Sequence, residues 1–160
     1  MQSGTRIKVC PDTSYLVAIY DAADVFHARA QAIRDALRGH GVHSLYLDCV
    51  MNEVLNVLAR RARERGKGVH PEEVLERVIA EIPKGLITWT YPAVPEWYDR
   101  CVGLMRESGW ALNFHDALIV RTWQEIGFDA IVSFDEDFDL VPGLRRLGSA
   151  EQVWDWIPPA

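Results

Sequence analysis

Apolar residues along this chain follow two rhythms. Short, dense apolar runs alternate with longer stretches in which apolar positions recur every three or four residues. The dense runs at 7–10, 42–46, 86–90 and 130–133 predict strands, with Pro11 ending the first; a further strand is predicted near 146–148. The periodic stretches predict helices over 13–20, 24–37, 48–65, 72–82, 95–107 and 113–126, and a short last helix capped by Ser149. In the helix over 48–65, Val50, Val54, Val57 and Leu58 share one face. Punctuation agrees with these bounds. Pro71 suits a first helical position, and Gly66-Lys67-Gly68, Gly109 and Gly127 follow predicted helix ends. Strands alternating with helices through compact connections predict an α/β fold: a central parallel sheet covered by helices on both faces.

Composition narrows the class. A chain of 160 residues suits a single domain. Its 49% hydrophobic and 25% charged content is that of a globular protein, which excludes disorder, collagen-like repeats and a disulfide scaffold. No apolar run approaches the ~18 residues of a membrane span, and the polar start, Met1 to Lys8, has no signal-peptide pattern. Cys10, Cys49 and Cys101 are odd in number and widely spaced, so they predict buried reduced thiols rather than a zinc site. The cytoplasm is the expected compartment. The formal charge of −6 argues against a simple basic nucleic-acid binder, but a total conceals its distribution.

The acids are distributed in a way that matters. Asp12 directly follows the first strand, and Glu53 lies early in the helix after the second. Asp116 lies three residues after Asn113, and Asp135 and Asp137 follow the strand at 130–133. Each has an ordinary reading alone: helix cap, edge of an apolar stripe, third helical position, acidic turn. Together they fall at strand ends or in the next helix's first turns, which a parallel sheet gathers at one edge, where such folds bind ligands. Close carboxylates repel by about 1–4 kcal/mol per pair between water and protein-surface dielectrics, so a gathered set calls for a cation. Oxygen-only donors favour Mg²⁺ or Mn²⁺ over zinc.

These residues resemble those of the PIN domain family, and within it the VapC-type toxin ribonucleases. The carrying motifs are Asp12-Thr13-Ser14, Glu53-Val54-Leu55-Asn56-Val57-Leu58, Asp116-Ala117-Leu118-Ile119, and Ser133-Phe134-Asp135-Glu136-Asp137-Phe138 followed by Val141-Pro142-Gly143-Leu144. Their ordered spacing covers residues 7 to about 148. The resemblance implies a three-layer α/β/α fold and metal-dependent RNA cleavage. It implies an acidic site of Asp12, Glu53, Asp116 and Asp135, supported by Ser14. Asp12, Asp116 and Asp135 would hold the metal; Asp137 would either ligate through water or cap the turn. It further implies an antitoxin protein as partner, and a homodimer is the expected assembly. The C-terminal Trp154-Asp155-Trp156-Ile157-Pro158-Pro159 matches none of these motifs, although Trp154 and Trp156 could stack on bases.

Without the four acids the formal charge falls from −6 to −2. Arg60, Arg61, Arg63, Arg65 and Lys67 then stand out, either as a solvated helix end or as an RNA-binding arm that tracks phosphates. His115 adjoins Asp116, but neighbouring helix residues diverge, so a role outside the site is expected. Other functions fit less well. A phosphatase of the haloacid dehalogenase type needs a second Asp where this chain has Ser14. A phospho-accepting receiver domain would want a Lys after a late strand, and none follows 130–133. A PIN-like nuclease of RNA processing or decay without an antitoxin is the main alternative. A non-catalytic interaction module would leave the acid set unexplained.

Overall fold

The computed structural model describes residues 6–66 and 71–157. Strand β1 (Lys8–Pro11) is buried at Val9, Cys10 and Pro11, as a strand covered on both faces must be. It pairs in parallel with β2 (His43–Ser44) on one side and β5 (Ala130–Val132) on the other. β6 (Arg146–Leu147) adds in parallel to β5, giving the order β2-β1-β5-β6. The chain runs to one side of β1 first and returns on the other. The carboxyl ends of β1 and β5 are therefore the switch point, where a crevice opens in such sheets.

Every predicted helix is present: α1 (Thr13–Tyr20), α2 (His27–Arg38), α3 (Asp48–Arg65), α4 (Pro71–Glu81), α5 (Val94–Glu107), α6 (Phe114–Ile126) and α7 (Ala150–Trp156). α1 packs on α2 and α3, α3 on α4, α5 on α6, and α2 on α7, so the sheet is clothed by helical layers. In α1 every residue but Ser14 is buried. Ile33, Val50, Val54, Ile119, Ile131 and Phe138 are among the fully buried side chains of one core. Among the described residues no helix is long and apolar enough to cross a membrane.

Three local predictions change. The strand over 42–46 is divided. Leu45 N still donates to Val9 O (2.8 Å), but β3 (Tyr46–Leu47) turns to pair in parallel with β4 (Ile87–Thr88) in a second, two-stranded sheet. The strand over 86–90 is shorter because Lys84–Leu86 forms a 3₁₀ turn and Thr90 is drawn towards Asp48. The helix expected from residue 24 begins only at His27. Before it, Asp21 Oδ1 accepts from Ala23 N (3.1 Å) and Asp24 Oδ1 from Phe26 N (2.8 Å). Side chains that hold their own backbone two residues on favour turns over helix.

Asp48 carries no sequence motif, yet it is buried at the start of α3. Its Oδ2 accepts from Thr90 N (2.7 Å) and Tyr91 N (2.9 Å), and its Oδ1 from Thr90 Oγ1 (2.5 Å) and Cys49 N (2.8 Å). The carboxylate ties α3 to the segment after β4 and so fixes the helix that carries Glu53. Asp48→Asn puts an amide donor among those N–H groups. It is expected to lower stability by about 1–3 kcal/mol, the cost of a buried unsatisfied donor, in urea denaturation. An unchanged midpoint would contradict this role.

Candidate active site

The site begins where β1 ends. Asp12 N donates to Val132 O (2.9 Å), extending the β1–β5 ladder by one residue. Asp12 stands at the N-cap position of α1, but its side chain makes no capping bond. The ordinary helix-cap reading therefore fails at this residue. Its Oδ2 accepts instead from Ser133 Oγ (2.7 Å) and Ser14 Oγ (3.1 Å). The two hydroxyls also meet the loop after β5: Phe134 N donates to Ser14 Oγ and Asp135 N to Ser133 Oγ, both at 3.0 Å. One buried carboxylate and two serines thus join both strand ends.

Asp116 comes from α6, and its ordinary reading is correct as far as it goes. Asp116 N donates to Asn113 Oδ1, and Asn113 N to Asp116 Oδ2, each at 3.0 Å, a reciprocal capping box. The cap fixes one oxygen of a carboxylate that also lines the site. Glu53 is reached from α3, where its Oε2 accepts from Thr13 Oγ1 (3.0 Å). Asp135 Oδ1 accepts from Asp137 N (2.9 Å), capping the 3₁₀ turn Glu136–Leu140.

Asp12, Glu53, Asp116 and Asp135 line one cavity of about 390 Å³, together with Ser14, His115 and Arg60. Asp137 is not among its lining residues. Arg61 also borders the cavity, but its guanidinium is held by Asp21 (2.9 Å) and Asp24 (2.6 Å). Arg65 makes two bonds to Asp21, at 2.7 and 2.6 Å. Arg63 is exposed and lies off the cavity. Lys67 lies outside the described residues. Of the predicted basic arm, then, Arg60 is brought to the site, while Arg61 and Arg65 brace the Asp21–Phe26 loop. Arg65, with help from Arg61, holds the Asp21 carboxyl down at about 2.

His115 is nearer than the sequence suggested. Its Nε2 lies 3.0 Å from Glu53 Oε2. The ring N–H is misaligned for a hydrogen bond, so this buried nitrogen has no hydrogen-bonding partner among the described residues. Contact distance alone makes it an ion pair when the ring is protonated. Thr13 and Ser133 stand within the quoted motifs and Asn113 three residues before Asp116, but the bonds of Thr13 to Glu53 and of Ser133 to Asp12 have no signal in the sequence until the fold forms them.

The electrostatics are those of a crowded acidic pocket. Burial pushes Asp12 up, against hydrogen bonds from Ser133, the Thr13 N–H and Ser14 and the nearby charge of His115. Burial pushes Asp116 up to about 7, against its Asn113 bond, and the charges of Asp12, Asp135 and Glu53 add to the rise. Among the described residues no three acidic, His or Cys side chains stand close enough to grip a bare ion. The donor set nonetheless fits a hydrated one. Each of the four carboxylates holds one oxygen by the bonds above and, among the described residues, leaves the other without a side-chain donor. Mg²⁺ keeps several waters and needs only one or two direct carboxylates.

The sequence profile of the PIN domain matches residues 9–144. The chain belongs to the PIN domain family, the class of nuclease fold that its motifs resemble. Among solved structures it is similar to the Mycobacterium tuberculosis toxin VapC20, described as cleaving the sarcin–ricin loop. The TM-score is 0.61 at 18% identity, over 82% of this chain and 92% of that one. No curated protein matches the chain in sequence.

A raised carboxyl makes a signed prediction. The folded Asp116 value lies above the unfolded one, so its contribution favours folding at low pH. That contribution is lost as pH rises from about 4 through about 7. Added Mg²⁺ offsets the repulsion only where the acids are ionised. The Tm increment on adding Mg²⁺ to EDTA-treated protein is expected to be larger at pH 7.5 than at pH 5, by a few degrees. An equal or reversed increment would mean that the acids do not repel one another.

Proposed function

We propose that the chain is a Mg²⁺- or Mn²⁺-dependent endoribonuclease and the toxin of a toxin–antitoxin pair. The observation that carries this reading is the convergence of Asp12, Glu53, Asp116 and Asp135 on one cavity at the β1–β5 switch point. RNA as substrate is supported by the description of VapC20 as a sarcin–ricin loop cleaving toxin. An acidic pocket takes a polyanion only with a cation between them. Asp12, Asp116 and Asp135 would hold that cation, with Asp137 more remote, through water. When bound, the ion supplies charge for the scissile phosphate and lowers the pKa of a water.

The remaining work falls to the protein. Ser14 and Ser133 keep Asp12 aimed, and Asn113 keeps Asp116 aimed. Glu53, beside His115, orients the attacking water and takes its proton. Arg60, paired to Glu64 only at 4.0 Å on an exposed surface, meets a neighbouring phosphate. Hydrolysis by water leaves a 5′-phosphate and a 3′-hydroxyl.

A peptide partner has a separate place to bind. A second cavity of about 390 Å³ lies among α1, α2 and the strands β2 and β3, lined by Leu16, Ile19, Leu37, Val42 and Tyr46 together with Arg34, Arg38 and Glu81. Such a surface suits an amphipathic antitoxin segment.

Asp12→Asn and Asp116→Asn are expected to reduce RNA cleavage about 10³-fold, the several kcal/mol a metal supplies to the transition state, with folding intact. Full activity in EDTA, or 2′,3′-cyclic phosphate ends, would overturn the mechanism. Expression of the wild type should arrest growth of the host, and Asp12→Asn should relieve the arrest. Harmless expression of an active nuclease would instead assign the chain to RNA processing.

A further inference from the structure

The loop between α1 and α2 has a feature that folding does not require. Its tip leaves Val25 90% and Phe26 39% exposed, and both side chains line the carboxylate cavity. Exposed apolar residues are common singly, but these two are held firmly in place. Arg61 bridges Asp21 and Asp24, and Arg65 clamps Asp21. The backbone closes on itself, with Asp24 N donating to Asp21 O and His27 N to Asp24 O, both at 3.0 Å. The loop is thus fixed with its apolar tip facing outward at the mouth of an acidic pocket.

The Phe26 ring is also backed. It stacks on Phe134 with centroids 4.6 Å apart and planes 21° from parallel. Phe134 lies between Ser133 and Asp135, and its N–H is the one held by Ser14, so the stack is joined directly to the catalytic corner. Arg29 stands 5.3 Å from the Phe134 ring centroid and 6.0 Å from that of Phe26. It has no ion-pair partner among the described residues. Arg60 borders the same cavity. A flat apolar face, a cavity for a phosphate and cations nearby together match one nucleotide unit: base and phosphodiester. Aromatic stacking accepts any base, because every base has a π-face.

Resting on the ribonuclease reading, we propose that Phe26, backed by Phe134 and flanked by Val25, is the shelf on which a base of single-stranded RNA stacks beside the scissile phosphate. The shelf holds the strand so that its phosphate enters the carboxylate cavity. It selects for unpaired RNA, because a base within a duplex cannot lie flat on it. It contributes to binding and positioning rather than to bond cleavage.

The test is binding in the Glu53→Gln background, which stops cleavage but keeps the three carboxylates that would hold the metal, with Mg²⁺ present, followed by fluorescence anisotropy. The probes are a labelled mixed-sequence single-stranded RNA of about ten nucleotides and an abasic ribose-phosphate strand of the same length. With the shelf intact, the RNA is expected to bind roughly 5- to 150-fold more tightly than the abasic strand, the range that one stacked base spans. Phe26→Ala should remove that preference while leaving the abasic strand's affinity unchanged. Phe26→Leu, which preserves packing on Phe134, should restore the melting temperature but not the full preference. Val25→Ser, at a site with no packing to lose, should give a smaller reduction and keeps the test valid if Phe26→Ala unfolds. A preference that survives Phe26→Ala, or the absence of any preference in the intact shelf, would overturn the proposal and leave the tip as a contact for a protein. Cleavage by the wild type is scored separately. Cleavage without base preference sinks the shelf alone, whereas base preference without cleavage sinks the nuclease reading alone.

Discussion

Two strand ends held side by side by one buried carboxylate are the constraint on which this protein depends. Asp12 extends the β1–β5 ladder, and its side chain engages the hydroxyls of Ser14 and Ser133 instead of making a capping bond. That choice leaves the first turn of α1 uncapped. In exchange it fixes the loop after β5, because the same hydroxyls accept the N–H groups of Phe134 and Asp135. The position of Asp135, the Phe26–Phe134 stack and the floor of the cavity all follow from this corner. Asp116 and Glu53 are then brought in by elements fixed elsewhere, Asp116 by its cap with Asn113 and Glu53 by a helix anchored through Asp48.

Charge is organised in two neighbouring zones with opposite logic. Around the cavity, carboxylates are gathered without enough cations, and Asp116 rises to about 7. Beside it, Asp21 and Asp24 are paired with Arg61 and Arg65, and Asp21 falls to about 2. The first zone keeps its repulsion; the second is neutralised by its arginines and serves as a brace. The net charge of −6 thus conceals acids that are paired internally as well as acids gathered at the cavity.

The fold was largely legible because its signals are local. The apolar runs at 7–10 and 130–133 and the periodic stretches between them mark β1, β5 and the helices nearly in full. The short strands were less so, since β2, β3 and β4 have two residues each and are set by pairing at a distance. The start of α2 was displaced because Asp21 and Asp24 form turns, which spacing of apolar residues does not register. Asp12, Glu53, Asp116 and Asp135 stood out by their placement at strand ends or in the first turns of helices, and the structure sets all four on one cavity. Of their supports, Ser14 stands in the first motif, whereas the roles of Ser133 and His115 depend on contacts across 121 and 62 positions, with Asp12 and Glu53. The arginines were read by charge alone, whereas Arg61 and Arg65 are defined by acids some 40 residues away.

On the proposed function, the carboxylates at the β1–β5 corner would hold a divalent metal ion. Mn²⁺ titration followed by electron paramagnetic resonance measures it directly, because bound and free ion give different signals. The wild type at pH 7.5 is predicted to bind Mn²⁺ stoichiometrically, with binding lost in Asp12→Asn and retained in Asp137→Asn. Mn²⁺ that remains free in the wild type, or binding that survives Asp12→Asn unchanged, would contradict it.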